Sequence, residues 1–384
     1  MAHIIIGADL VPTKQNLKEF EKGKSIDLIG DEIAKIIRDS DFSCFNLETP
    51  LINGNEECID KWGPCIGAPA SAVRGIKALN IDFLTLANNH IMDYGAEGLQ
   101  STIEALKTAG IHYSGVGSNL DEARKVFYTF VNGMKVGIYC CAEHEFSIAS
   151  EHKSGVNPFD PMNSLDDVKF SKEESKADFL IVLYHGGKEH YRYPSPQLQK
   201  ICHKLIEKGA DLVVCQHSHC VGCKEEYKGG TIVYGQGNFI FECGETDECW
   251  KSAVLIDINI MDNSHKIDYI PIIRNGNGIR LAKNKDADNI IDSFNVRSNE
   301  ILNPQFVHKN YQEYVEKQRS TYLGAFLGHK TFFFRGLNKI TNGFLVRRKI
   351  EFLYRKRERL CLRNFIECEA HREMILTLLR ERER

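Results

Sequence analysis

The 384-residue sequence predicts an α/β fold, two packed sheets with helices on their outer faces, extended at the C-terminus by helices alone. Three observations predict it. Over roughly the first 270 residues, short apolar runs alternate with segments of helical apolar spacing, as in parallel βα units. Late in that region the strand-like runs 231–234, 253–260 and 266–273 follow one another with no helix between them, which adds an antiparallel meander. From about Asn303 onward the chain carries helical spacing and no strand signal.

The elements follow in order. Ile4, Ile5 and Ile6 open a strand, residues 28–37 have a helical apolar stripe, and residues 42–46 form a short strand. A helix over 70–79 and a strand over 82–87 come next. A helix over 98–109 then stops at Gly110, a residue suited to a left-handed cap. Runs 126–131 and 135–140 flank Asn132-Gly133, the strongest short signal for a type I′ hairpin. The strand 179–184, the helix 197–208 and the strand 212–215 repeat the βαβ pattern. Asn275-Gly-Asn-Gly278 marks a turn, and the polar stretch that follows reads as a linker over 276–302, between a domain over 1–275 and a helical, basic extension over 303–384.

Composition excludes several classes. Hydrophobic residues are 42% and charged residues 26%, a globular balance, and the net charge of −3 gives no electrostatic case for a nucleic-acid partner. No apolar run reaches the length of about 18 residues that a spanning helix needs. The N-terminus has neither a basic region nor a small-residue cleavage site, which reads as no secretory signal. Thirteen cysteines are many, but several sit inside apolar strand runs, as Cys44, Cys140 and Cys141 do. Free thiols in a reducing, cytoplasmic compartment account for them, and Cys220-Val-Gly-Cys223 lacks the second pair a zinc ribbon requires.

The polar residues carry the functional signal. Ligands in open α/β sheets bind beyond the carboxyl ends of the strands. There the sequence places Asp9, then Asn46-Leu-Glu48, Asn88-Asn89-His90, His185 and finally His217-Ser-His219. Asp, Glu, Asn and His are the oxygen and imidazole donors of divalent metals. Each has an ordinary reading: a cap for Asp9, an Asx turn for Asn88, a satisfied core histidine for His185, chance spacing for His217 and His219 on an extended segment. Five such stations in succession point to a metal-assisted site.

This order of motifs resembles the calcineurin-like metallophosphatase superfamily. The wording Asn46-Leu-Glu-Thr-Pro50, Asn88-Asn-His90 with Asp93 and Gly95, His185-x-Gly-x-Glu189, His217-Ser-His219 and Gly237-Asn-Phe239 resembles its CapA family, associated with capsule and poly-γ-glutamate synthesis. The likeness runs from about residue 3 to residue 260. It implies a metallophosphatase-like four-layer α/β/β/α sandwich binding one or two divalent ions, Mn, Fe, Zn or Mg. Carried over residue by residue, Asp9 and His219 serve a first ion, Asn89, His185 and His217 a second, and Glu48 bridges them. His90 is then the group that protonates a leaving oxygen, with Asn46, Asp93 and Glu189 completing the candidate catalytic set. Asn238 follows a glycine-rich strand end and reads as orienting a ligand histidine. Val11 stands where the superfamily has a ligand histidine, so the first site has one donor fewer.

The expected function is metal-dependent hydrolysis of a phosphoester or related bond in synthesis of an anionic exopolymer or surface polysaccharide. The substrate is then the polymer or a phosphorylated small molecule, and other synthesis proteins are the partners. A non-catalytic assembly or substrate-binding component is the alternative, and an amide hydrolase acting on a γ-glutamyl polymer is a third reading. In the C-terminal extension, Phe332, Phe333 and Phe334 precede a segment, 345–384, with twelve Lys or Arg against seven Glu. That segment reads as helices packed on the domain or lying on an anionic membrane surface, which would be its inner face.

Overall fold

The computed structural model describes residues 1–242, 248–261, 264–326 and 344–380. It divides into two compact units, Met1–His308 and Lys309–Arg384.

In the first unit, one sheet is built on the strand Ala2–Val11, which pairs parallel with Phe42–Leu47 and antiparallel with Ser252–Met261. Phe83–Thr85 and His112–Ser114 continue it on one side, and the meander strands Ser264–Asn275 and Gly278–Leu281 on the other. Asn238–Phe241 joins the C-terminal end of the first strand in parallel, with Asn238 level with Asp9. The second sheet has six strands in the order Lys224–Tyr227, Gly230–Tyr234, Leu212–Gln216, Phe179–His185, Met134–Ala142 and Phe127–Val131. Side chains alternate as a pleat requires. Ile181 and Leu183 face the first sheet and join one core with Ile4 and Ile6, while Leu180, Val182 and Tyr184 face the helix Pro196–Glu207 through Leu198, Cys202 and Leu205. The helix Ile26–Asp39 covers the first sheet with Leu28, Ile29, Ile33 and Ile37. The layers are therefore α/β/β/α. At the close approach of the first strand to its neighbour, a Cβ on Gly7 would lie 1.8 Å from the Phe45 ring, so only glycine fits.

Local signals formed as read. Gly110 caps the helix Gly95–Ala109 in the left-handed conformation (φ 67°), and Asn132 and Gly133 both have positive φ, as a type I′ turn demands. Three expectations need correction. The stretch 276–302 is not a linker. It forms the strand Gly278–Leu281 and the helix Asn284–Glu300, whose Phe294 is wholly buried against Tyr269 and whose Arg297 donates to the carbonyls of Val221 and Gly222. Its polar composition hid how little it buries, chiefly Phe294 and Ser298. The cysteines are not all free thiols, because Cys58 and Cys65 are joined in a disulfide with their Cα atoms 6.4 Å apart. That pairing removes the argument for a reducing compartment. His217-Ser-His219 is not extended, since His217 (φ 82°) and His219 (φ 52°) are both left-handed.

The second unit contains the long helix Pro304–Ala325, which begins in the first unit, and the helices Phe344–Leu353, Lys356–Glu367 and Glu369–Arg380. Phe332, Phe333 and Phe334 lie outside the described residues. No helix among the described residues is long and apolar enough to cross a membrane.

Candidate metal centre

Strand ends from both sheets converge on one point. From the first sheet come Asp9, Asn46, Glu48 and Asn238, with Asn88, Asn89 and His90 just past Thr85; from the second come His185, His217 and His219. Two triads result, Glu48 with His185 and His217, and Asp9 with Glu48 and His219. In each, the donor atoms lie within 4.8 Å of one another and every residue is buried. The spacing fits a common ion, since donors about 2 Å from a metal stand roughly 3–4 Å apart. His185 Nε2 is 3.1 Å from His217 Nδ1, 3.0 Å from Asn89 Oδ1 and 3.5 Å from Glu48 Oε1. His219 Nδ1 is 3.3 Å from Asp9 Oδ2.

Neither carboxylate oxygen of Glu48 accepts a hydrogen bond from any described residue, although the side chain is wholly buried. Buried carboxylates left this way are costly, and a cation relieves the cost. The electrostatics agree. Burial, and then the charge of Asp9, push the Glu48 carboxyl up to about 8. Burial lowers His185 to about 3 and takes His217 well below its ordinary value. Burial would also lower His219, but the charges of Glu48 and Asp9 win and push it up to about 10. Without an ion, protons occupy the space between carboxylates and imidazoles.

A ring of polar side chains holds the donors. The Asn46 amide donates to Asp9 Oδ1 at 2.8 Å and lies 3.3 Å from His185 Nδ1, so this wholly buried member of the expected catalytic set contacts two candidate ligands. Asn88 donates to Asn46 Oδ1 and to the carbonyl of Leu47, and it accepts from the backbone of His90 and Ile91. Asn238 Oδ1 lies 2.9 Å from His219 Nδ1, while His219 Nε2 is 3.9 Å from Glu48 Oε1. Residues 5–243 match the family model described as bacterial capsule synthesis protein PGA_cap. The chain belongs to that family.

Two relatives carry related names. The capsule biosynthesis protein CapA of Bacillus anthracis is 30% identical over 265 residues, covering 67% of this chain and 64% of that protein. The PGA biosynthesis protein CapA of Bacillus subtilis strain 168 is 30% identical over 254 residues, covering 65% and 66%. The chain thus spans just under two thirds of the length of each. A solved phosphatase from Mycoplasma pneumoniae has 11% identity and a TM-score of 0.43, covering 71% of this chain and 94% of that one.

Beside the triads of this PGA_cap chain, His90 Nδ1 is 2.8 Å from Asp93 Oδ2, and Asp93 is completely buried. Glu189, 45% exposed, has Oε1 3.8 Å from His217 Nε2 at the open side of the centre. Sequence reasoning placed Lys61 only in a segment, Lys61-Trp62-Gly63-Pro64, expected to cover the substrate, and gave no signal for Trp250. Lys61, from the irregular segment before the disulfide's second cysteine, pairs with Asp93. Trp250 stacks on His219, with centroids 4.9 Å apart and planes at 26°. Nothing periodic marks either residue. The one available signal for Lys61 was its place in the long segment after Glu48, whose Trp62 the structure leaves 87% exposed.

Proposed function

We propose that this protein is a metal-dependent hydrolase of the metallophosphatase type, acting on a phosphoester or related bond during synthesis of an anionic extracellular polymer. The observation that carries the reading is the pair of triads sharing Glu48, whose buried oxygens are left for a cation. Asp9, Glu48 and His219 would hold one ion, and Glu48, Asn89, His185 and His217 another. Two imidazoles with a carboxylate suit Zn, Mn or Fe better than Mg, which favours oxygen donors. Bound there, such ions supply Lewis acidity and a water acidified toward neutral pH. The protein's own share is positional. Asn46, Asn88 and Asn238 fix the donors, and Asp93 accepts the Nδ1 proton of His90 and orients the ring so that, as the imidazolium, its Nε2 can give a proton to the leaving oxygen. Glu189 at the open side meets the substrate. The relatives' names motivate the setting, capsule or poly-γ-glutamate synthesis.

The test is elemental analysis of the purified chain with a phosphoester screen under added Mn²⁺. Bound metal with turnover supports the hydrolase; bound metal without turnover favours a non-catalytic assembly or substrate-binding component. Val11 at the superfamily's histidine position, which thins the first triad, favours that second reading. For the second unit we propose contact with an anionic membrane surface, on the strength of its basic charge and its exposed Phe352, Leu360, Phe365, Leu378 and Leu379.

A further inference from the structure

We propose that Lys61 is a positioning residue of the candidate active site, fixing the Asp93 carboxylate so that one oxygen stays aimed at His90. The proposal rests on the reading of His90 as the group that serves the leaving oxygen. Its geometry is complete on the protein side. The Lys61 side chain is 4% exposed and its ammonium pairs with Asp93 Oδ1, while Asp93 Oδ2 lies 2.8 Å from His90 Nδ1 and accepts from the Ile66 backbone at 2.8 Å. The two oxygens are thus assigned to different partners. An aspartate's terminal torsion is broad, so a carboxylate held at one oxygen swings while one held at both does not. Removing Lys61 therefore frees Asp93, and the ring that Asp93 orients follows it. Lys61 Nζ is also 3.4 Å from His90 Nδ1 and 4.4 Å from the centre of the Phe146 ring, so it is enclosed from above as well.

The segment that carries Lys61 is tied to the same residue from both flanks. Ile59 donates its backbone N–H to the Asp93 carbonyl at 3.0 Å, Ile66 reaches the Asp93 side chain, and the Cys58–Cys65 disulfide closes the loop between them. Burying a lysine costs side-chain entropy besides desolvation. A lysine serving only to neutralise Asp93 needs no such strap. Two tethers ending on residue 93, and the disulfide that closes the loop between them, keep the ammonium on one oxygen, a geometric result and not merely a charge balance.

The experiment compares Lys61→Met and Lys61→Arg in the full chain by the ring ¹⁵N signals of labelled histidine, with His90 assigned through His90→Gln. The wild type and Lys61→Arg are expected to show one His90 tautomer, protonated at Nδ1; Lys61→Met is expected to show a mixture of both. Lys61→Gln gives the same comparison should Lys61→Met fail to fold. With p-nitrophenyl phosphate and Mn²⁺, Lys61→Met should lower kcat roughly 10–100-fold, with KM and metal content unchanged and Lys61→Arg restoring most of the rate. Unchanged His90 signals in Lys61→Met would overturn the assignment, as would a loss confined to KM or to bound metal. If the wild type turns over no phosphoester, the hydrolase reading fails and the ring signals still decide the role of Lys61.

Discussion

His185 and His217 stand with ring nitrogens 3.1 Å apart, a separation two imidazoles reach only across a shared proton or a shared ion. An ion at that point depends on both, so His185→Ala or His217→Ala should each remove most bound metal by elemental analysis; unchanged content would place the ion elsewhere. Glu48 adds a pH dependence with a definite sign. Its metal-free carboxyl sits near 8, so below that pH a proton competes with the ion and metal uptake releases protons. Apparent Mn²⁺ affinity, followed by titration calorimetry, should therefore rise from about pH 6 to about pH 8 and never fall across that window. His90 touches Asp93 and not the triads. Its change to Ala should keep the metal and lower turnover by roughly 10²–10⁴-fold.

The turns that end the strands do the aiming. His217 and His219 both adopt left-handed backbone, a conformation that costs of order 1–3 kcal/mol per non-glycine residue and is retained where surroundings over-determine it. The turn after Thr85 is organised by Asn88, which satisfies four groups at once. Asn88→Ala leaves buried backbone and the Asn46 carbonyl oxygen without their partner, so it should destabilise the protein by at least about 2 kcal/mol in urea unfolding. A smaller loss would mean that water replaces the amide. These stations were legible in the sequence because strand ends are local: an apolar run stops, and Asp9, Glu48, Asn89, His185 or His217 follows. The pairing of Lys61 with Asp93, the stacking of Trp250 and the Cys58–Cys65 bond were not, since the first and last depend on the path of an irregular loop and the second on a single short turn, Glu248–Lys251, that no period records. The helix Asn284–Glu300 escaped notice for a different reason, having little beyond Phe294 and Ser298 to bury in an otherwise polar run.

At the scale of the molecule, the disulfide predicts that a denatured thiol titration finds two more thiols after reduction than before; equal counts would restore the fully reduced reading. The second unit exposes apolar side chains among basic ones. The full chain should sediment with vesicles containing anionic lipid, bind more weakly as salt rises and lose that binding when residues 309–384 are deleted; indifference to lipid charge would refute the membrane contact. A last consequence follows from where the triads sit. Asp9 and Glu48 belong to one sheet while His185, His217 and His219 belong to the other, so an ion at the seam would rivet two layers otherwise joined by apolar packing and a few hydrogen bonds such as that between Asn238 and His219. At a hundredfold excess of free ion over Kd, that rivet adds about 2.7 kcal/mol to the folded state. The added protection in hydrogen exchange should appear along the seam and fade toward the sheet edges. Because the donors are scattered from residue 9 to residue 219, a newly made chain would have nowhere to put an ion until most of this unit had closed, and metal uptake would be a timestamp on the completion of folding.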